Sequence, residues 1–274
     1  TMASRISYTK QWFSFIQKIY WLLLRLEVEK IPKIRIAKFI ASAQICSRRE
    51  AEKLIINGDV TVNGEKVIHP LFFVTNKDLI NVKGKLLKKQ SRIRLFIYNK
   101  PRNLITSHKD PEGRPTVFDE IPKRLGRLIS IGRLDYNTEG LLLLTNNGDL
   151  KRYLELPSNN IKRSYKVKII GDIGNLKIEE IRKGISINKV HYAPIKLKII
   201  SKTKNTTWIE LQLTEGKNRE IRKIIQYYNL KISRLIRISY GQFYLNDLKK
   251  NEIIEVNKSK MNNLISILER DKLC

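Results

Sequence analysis

Apolar positions in residues 33–92 follow helical spacing first and strand alternation afterwards. Two stripes recur every three or four residues: Ile36, Phe39, Ile40 and Ala43, then Ala51, Leu54 and Ile55. Val60 and Val62 then alternate with polar residues ahead of Asn63-Gly64, a pair typical of two-residue hairpin turns. The pattern predicts a small α+β domain in which two helices precede a hairpin.

Polar residues mark the ends of the second of these helices. Ser47 and Glu50 have the spacing of a capping box, in which both side chains accept hydrogen bonds from exposed amides at the helix start. Gly58 is placed to end the helix, because glycine adopts positive φ without steric cost. The polar, basic run Lys83 to Arg92 is interpreted as a linker to the next domain.

Residues 93–274 are richer in strand-like runs. We expect strands at Leu95 to Tyr98, Leu128 to Ile131, Leu141 to Thr145, Tyr165 to Ile170, Ile195 to Ile200 and Thr207 to Leu213. Two helical stripes alternate with them: Ile221, Ile224, Ile225 and Tyr228, then Met261, Leu264, Ile265 and Leu268. This segment is therefore expected to be a second α+β domain, built on an antiparallel or mixed sheet.

Residues 1–32 are interpreted as an N-terminal extension of unknown role. Trp12 to Leu26 is apolar but interrupted by Gln17 and Lys18, so it is too short and too polar to cross a membrane. Residues 1–26 contain basic but no acidic side chains, which is one feature of organellar targeting peptides. We prefer an added helix or an extension without a role, and expect the protein to be cytoplasmic.

Charge points to a polyanionic partner. The chain has 54 Lys+Arg against 26 Asp+Glu, a formal net charge of +28 and a sequence pI of about 10.1. A protein of the membrane surface would concentrate its charge on an amphipathic helix or a juxtamembrane cluster. Here the basic residues are spread through both domains, so RNA is the expected partner and a membrane is not.

The cysteines and histidines of the sequence are not spaced as the ligands of a metal ion. Cys46 and Cys274 are the two cysteines, too few for a disulfide framework or a cysteine-based zinc site. His69, His108 and His191 are far apart and lack metal-ligand spacing. We therefore expect the protein to bind neither a metal nor a cofactor. The low cysteine content also indicates a reducing compartment.

One carboxylate stands out in a polar loop between two strand-like runs. Asp135 follows Leu128 to Ile131 and precedes Leu141 to Thr145. A lone Asp in such a loop is a candidate nucleophile. The alternative is an Asp that only closes an Asx-turn.

The residues around this Asp favour the first interpretation. The run Gly132 to Asn146, with the pattern GRLDxxTxGLLLLT, resembles the signature of the RsuA/RluB/RluE/RluF family of rRNA pseudouridine synthases. In that family the Asp of the motif is the catalytic nucleophile, which implies this role for Asp135. The resemblance covers residues 33–254.

Two further motifs carry the same resemblance. Tyr165, within Arg163 to Val167, matches the strand tyrosine that stacks on the target base, although a strand tyrosine can also be ordinary packing. Leu213 to Lys223 matches the third family motif, in which Arg222 corresponds to the arginine that pairs with the Asp. Such an ion pair would keep the carboxylate charged in a cleft with little water. Arg219 is expected to contact the RNA backbone or to cap the helix, and either arginine could instead be a plain surface residue.

The outer motifs extend the match. Asn99-Lys100-Pro101 and the run Asp110 to Asp119 resemble the first family motif and the loop after it, which approaches RNA. Asn103 stands where the family has glycine, and asparagine tolerates positive φ best after glycine. Together with Ser233 to Gly241, these runs look closest to the enzymes that modify large-subunit rRNA.

The first domain resembles the S4 RNA-binding domain through Ser47 to Ala51 and Gly58 to Gly64. Its Arg48 and Arg49 lie in the first turn of a helix, where free amides already favour phosphate, unless they only form a solvated face. The full set of expected RNA contacts is Arg35, Lys38, Arg48, Arg49, Lys53, Arg114, Arg133 and Arg219.

The resemblance implies isomerisation of one uridine to pseudouridine in rRNA, with large-subunit (23S-type) RNA preferred, by a monomer that uses Asp135, Tyr165 and Arg222. Breaking and remaking a bond between base and sugar needs no redox partner and no group donor. Two alternatives stay open: a non-catalytic RNA-binding or ribosome-assembly factor with the same fold, and the same chemistry on small-subunit rRNA.

Overall fold

The computed structural model describes residues 33–88 and 92–270, which form two compact units. Our expectations for residues 1–32, for residues 89–91 and for Cys274 lie outside these described residues. Within them, no helix combines the length and the apolar content that a membrane crossing requires.

The first unit is a small α+β domain. Its elements are β1 (Ile34–Arg35), α1 (Ile36–Ser42), α2 (Arg48–Ile56), β2 (Val60–Val62), β3 (Glu65–Lys66), β4 (Phe73–Val74), β5 (Ile80–Val82) and β6 (Lys85–Leu86). The apolar faces of both helices and of β2 and β5 share one core, as their spacing predicts. Strands β3, β2, β5 and β6 form an antiparallel sheet in that order.

The capping box is present, with the Ser47 amide donating to Glu50 at 2.7 Å and the Glu50 amide donating to Ser47 Oγ at 3.2 Å. The predicted linker, however, began too early. Lys83 and Gly84 both have positive φ and form a hairpin turn between β5 and β6. The basic composition of this run was mistaken for a linker, because its short strand carries no apolar alternation.

The second unit contains β7 (Leu95–Lys100), α3 (Val117–Glu120), β8 (Ile129–Ile131), β9 (Glu139–Thr145), α4 (Gly148–Glu155), β10 (Arg163–Ile170), α5 (Ile178–Lys183), β11 (Ile185–Ile187), β12 (Val190–Tyr192), β13 (Lys196–Lys202), β14 (Thr206–Leu213), α6 (Glu220–Tyr227), β15 (Lys231–Tyr240), β16 (Phe243–Tyr244), β17 (Ile253–Glu255) and α7 (Lys258–Arg270). The predicted strands and both helical stripes coincide with these elements, except that Leu128, Ile195 and Tyr228 each lie one residue outside the observed bounds. The fold class is α+β, as expected.

A mixed sheet organises this unit. Within the described residues it has nine strands, with the path β13-β14-β10-β15-β9-β7-β17, while β16 pairs with β15 and β8 with β9. The β9 pairing with β15 is parallel, and the other pairings in this sheet are antiparallel. The sheet therefore consists of two antiparallel halves joined at one parallel contact.

Strand β9 lies at the centre of one half and is buried along its whole length. Leu141 and Leu143 pack into a core with α4 and α7, whereas Leu142 and Leu144 pack into a separate core on the other face. Because both faces are covered, the strand is a continuous apolar run without alternation.

Gly140 makes the parallel contact possible. It has φ +100°, and a Cβ at this position would lie 2.3 Å from the carbonyl oxygen of Arg237 on β15. No side chain fits at that distance, so glycine is required where the two halves of the sheet meet. The loop that carries Asp135 enters the sheet at this point.

Candidate active site

The loop between β8 and β9 holds Asp135 through main-chain contacts. The Thr138 amide donates to the main-chain oxygen of Asp135 at 3.0 Å, and the Asn103 amide donates to the Tyr136 oxygen at 2.8 Å. Thr106 Oγ1 donates to the Leu134 oxygen at 2.9 Å. The turn thus closes through the main chain, and the Asp135 carboxylate, 39% exposed, lines an adjacent cavity.

Asn103 has φ 65°, as expected for the position where the family has glycine. Its amide reaches the Asp135 loop from this conformation. The substitution therefore preserves the local turn.

The side chain of Lys100 donates hydrogen bonds to the same loop. Its side chain is fully buried at the end of β7, and its ammonium group donates to the main-chain oxygens of Pro101, Thr138 and Asp135 at 2.9, 3.0 and 3.3 Å. Burial lowers the pKa of Lys100 to about 8, while the charges of Asp135 and Glu139 act in the opposite direction. In the sequence this lysine is part of the Asn99-Lys100-Pro101 run, and no local signal indicates its role there.

Two arginines face the carboxylate. Arg222, in the first turn of α6, places Nε 3.7 Å from Asp135 Oδ2, and its Nη2 donates to the Asn137 oxygen at 3.0 Å and to Thr138 Oγ1 at 3.2 Å. Burial lowers the pKa of Arg222, and the charge of Asp135 opposes that shift. The guanidinium is thus bound to the loop as well as paired with its carboxylate.

Arg219 occupies the N-cap position of α6 with φ 51°, but its side chain makes no capping hydrogen bond. Instead, its Nη1 lies 4.0 Å from Asp135 Oδ2. We expected Arg219 to contact RNA or to cap the helix, and its proximity to the carboxylate was not anticipated from spacing alone.

These groups line one cavity of about 710 Å³. Asp135, Arg219 and Arg222 border it together with Arg133 and the half-buried Tyr165 on β10. Three separate motifs of the sequence therefore meet at one place. A carboxylate beside two guanidinium groups and an aromatic side chain can act as nucleophile or base on a planar ligand.

A pair of acidic residues shapes the segment before α6. Glu220 is 4% exposed and accepts from the Lys217 amide at 3.0 Å, while Glu215 accepts from the Ala193 amide at 2.7 Å and from the Lys217 ammonium group. Burial, followed by the charge of Glu215, raises the pKa of Glu220 to about 7. No local sequence signal marks this pair, because only the fold buries Glu220.

The other expected RNA contacts are not among the residues that line this cavity. Arg114 is held within its own loop by two hydrogen bonds of 2.9 Å to Asp110 and an ion pair with Glu112. The remaining five, all in the first unit, are Arg35, Lys38, Arg48, Arg49 and Lys53. Of these, all but Lys38 are exposed.

A family model described as RNA pseudouridylate synthase matches residues 94–227, and an S4 domain model matches residues 34–80. A Rickettsia felis protein named an uncharacterized RNA pseudouridine synthase is 48% identical over 223 residues, 81% of this chain and 96% of the relative. A Buchnera aphidicola protein named ribosomal large subunit pseudouridine synthase B is 37% identical over 242 residues, 85% of this chain and 97% of the relative.

Among solved structures, one described as a pseudouridylate synthase superposes with a TM-score of 0.61 at 27% identity. The match covers 84% of this chain and 99% of that chain. Both domains of the sequence therefore have counterparts in known proteins.

Proposed function

The chain belongs to the RNA pseudouridylate synthase family, and from this membership we propose that it converts one uridine of large-subunit rRNA to pseudouridine. The Buchnera relative, whose name specifies the large ribosomal subunit, supports this choice of RNA. The reaction breaks the N1–C1′ bond, forms a C5–C1′ bond, and exchanges the proton on C5 for one on N1. Atoms balance without a redox partner, cofactor or metal.

Asp135 acts as the nucleophile or base of this reaction. The observation that carries the assignment is the convergence of Asp135, Tyr165 and Arg222 on one cavity from three separate motifs. Arg222 pairs its positive charge with the carboxylate, 3.7 Å away, and fixes the loop by its hydrogen bonds. Tyr165 offers the aromatic surface for the flipped base.

RNA affinity comes from both units. The S4 domain supplies Arg35, Lys38, Arg48, Arg49 and Lys53, and the second unit supplies Arg114, Arg133 and Arg219. The arginines at the cavity, Arg133 and Arg219, bind phosphates beside the target uridine, since phosphate contacts dominate RNA affinity. The protein works as a monomer in the cytoplasm, where ribosomes are assembled.

Replacing Asp135 tests the assignment. We expect Asp135→Ala to bind large-subunit rRNA with normal affinity and to release no tritium from 5-³H-uridine-labelled rRNA, because the carboxylate assigned as nucleophile is gone. Asp247→Ala, the same change at an exposed residue outside the cavity, should keep full activity. Tritium release by Asp135→Ala would refute the nucleophile assignment.

Pseudouridine maps of cells with and without the gene identify the RNA. A lost site in large-subunit rRNA is expected. Loss of a site in small-subunit rRNA instead would leave the chemistry intact and change the substrate. A folded wild-type protein that modifies neither naked nor partly assembled rRNA would favour the non-catalytic assembly factor.

A further inference from the structure

Part of the cavity lining is a two-by-two arrangement of arginine and tyrosine side chains. Strands β10 and β15 pair so that Arg163 lies opposite Tyr240 and Tyr165 lies opposite Arg237, and all four residues line the cavity. Residues that face each other on paired strands project from the same face of a sheet. Both guanidinium groups lie over the Tyr240 ring, at 4.8 Å for Arg163 and 5.1 Å for Arg237.

The two arginines differ in how their donors are used. Arg163 donates to the Thr214 oxygen at 3.1 Å and to the Tyr240 hydroxyl at 3.0 Å. Arg237 is 2% exposed, and within residues 33–88 and 92–270 its guanidinium donates only to the Leu141 oxygen, at 2.7 Å. Its Nη2 is buried without a partner.

A buried guanidinium in this state is costly. Among the described residues, no carboxylate lies within 4.0 Å of Arg237, so its charge is not compensated by an ion pair. Native proteins rarely leave buried charges and donors unsatisfied, and a catalytic role is one reason why they do. A ligand that satisfies Arg237 needs an acceptor atom that enters the cavity.

We propose that Arg237 binds a carbonyl oxygen of the target uracil and stabilises the negative charge that the base carries once its bond to the ribose breaks. This inference rests on the proposed function. When the N1–C1′ bond breaks, its electron pair stays with the base and is delocalised onto the carbonyl oxygens. A fixed donor aimed at an oxygen where charge develops lowers the barrier and holds the detached base while it turns.

The location favours the base over a backbone phosphate. Arg237 lines the cavity with only 2% of its surface exposed, directly across the strand pair from Tyr165, which offers the stacking surface. A flipped base is the part of the substrate that enters deepest, while phosphates stay at the mouth of such a pocket. Exposed arginines at the cavity, Arg133 and Arg219, suit phosphate better.

Single-turnover kinetics at saturating rRNA test the proposal. Arg237→Lys keeps the charge but loses the planar fork of donors, and we expect its rate of tritium release to fall about 100-fold, as for loss of one donor to a developing oxyanion. Its RNA dissociation constant should change less than about threefold, because the contact strengthens only during reaction. Arg234→Lys, on the same strand but outside the cavity and paired with Glu139, is the matched control and should keep its rate.

Sulfur substitution identifies the oxygen. An RNA fragment spanning the mapped site is made with 2-thiouridine or 4-thiouridine at the target, which weakens one acceptor at a time. One of the two should slow the wild-type protein and have little further effect on Arg237→Lys, since the mutation and the sulfur remove the same contact. Equal responses of both proteins to both analogues would overturn the proposal.

Further outcomes are also decisive. Weakened RNA binding with an unchanged rate at saturation would assign Arg237 to phosphate and overturn the proposal. If Arg237→Lys fails to fold, a structure of the Asp135→Asn protein with the same RNA decides, because a guanidinium farther than about 3.5 Å from both base oxygens makes no hydrogen bond. A wild-type protein that forms no pseudouridine would refute the proposed function instead, so the two failures are distinguishable.

Discussion

Lys100 illustrates how a single buried charge organises the site. Its ammonium group binds three main-chain oxygens, two of which belong to the loop that carries Asp135. A charged group in this position satisfies acceptors that burial would otherwise leave without partners. The loop geometry therefore depends on a residue that does not line the cavity.

We expect Lys100→Met to destabilise the protein by a few kcal/mol and to slow single-turnover tritium release, because three carbonyl oxygens lose their donor. Denaturant unfolding measures the first effect and labelled rRNA the second. Lys166→Met, at an exposed position on β10, is the control and should change neither. Full activity of Lys100→Met would show that the loop holds its shape without the ammonium group.

Arg222 and Arg219 lie at similar distances from Asp135 but are bound differently. Arg222 also holds the Asn137 oxygen and Thr138 Oγ1, which a lysine cannot reproduce with the same fork of donors. We expect Arg222→Lys to reduce the single-turnover rate about 100-fold, as a displacement near 1 Å can. Arg219→Lys should mainly weaken RNA binding. If Arg219→Lys lowers the single-turnover rate more than Arg222→Lys does, Arg219 is the partner of Asp135.

At the scale of elements, the segment between β14 and α6 leads into the buried carboxyl group of Glu220, whose protonated form is favoured by burial. Glu220 has a pKa raised to about 7, so it binds a proton in the folded state that the unfolded chain releases near the ordinary pKa of 4.5. The contribution of this proton to the free energy of unfolding is fully present below pH 4.5 and is lost as the pH rises through 7. The segment also carries Arg219 and leads into the turn with Arg222.

Replacing Glu220 by glutamine removes this titration. We expect the melting temperature of the wild-type protein to fall relative to Glu220→Gln between pH 5 and pH 8, with the two proteins most alike at the acidic end. Thermal denaturation in matched buffers measures the difference, and Glu179→Gln on the exposed face of α5 is the control. Parallel pH profiles for Glu220→Gln and the wild type would contradict the assignment.

At the scale of the whole molecule, a net charge of +28 sets the affinity for RNA. Log affinity should fall linearly with log salt concentration, by about 0.7 for each phosphate contacted in single-stranded RNA. Arg48→Ala combined with Arg49→Ala should flatten the slope and leave the single-turnover rate at saturating rRNA unchanged. Lys202→Ala with Lys204→Ala removes the same charge from the β13–β14 hairpin, and an equal flattening there would argue against a specific phosphate site.

Local patterns determined much of this protein. Helices α1 and α2, the Asn63-Gly64 turn and the long strands of the second unit follow from apolar spacing, capping residues and turn chemistry, all of which act over a few residues. The motif around Asp135 also indicated the family without any knowledge of the fold. Such signals can be read from sequence because the physical interactions behind them are local.

Tertiary structure decided the rest, because burial and pairing between distant strands leave no local signal. The Lys100 clamp, the raised pKa of Glu220, the approach of Arg219 to Asp135 and the unpaired donors of Arg237 all arise where segments far apart in the chain meet. Gly140 is part of a readable motif, yet its physical reason is the close contact with Arg237 on β15. The sequence predicted which side chains carry the chemistry, and only the packing of the sheet determined which of them are buried and within reach of one another.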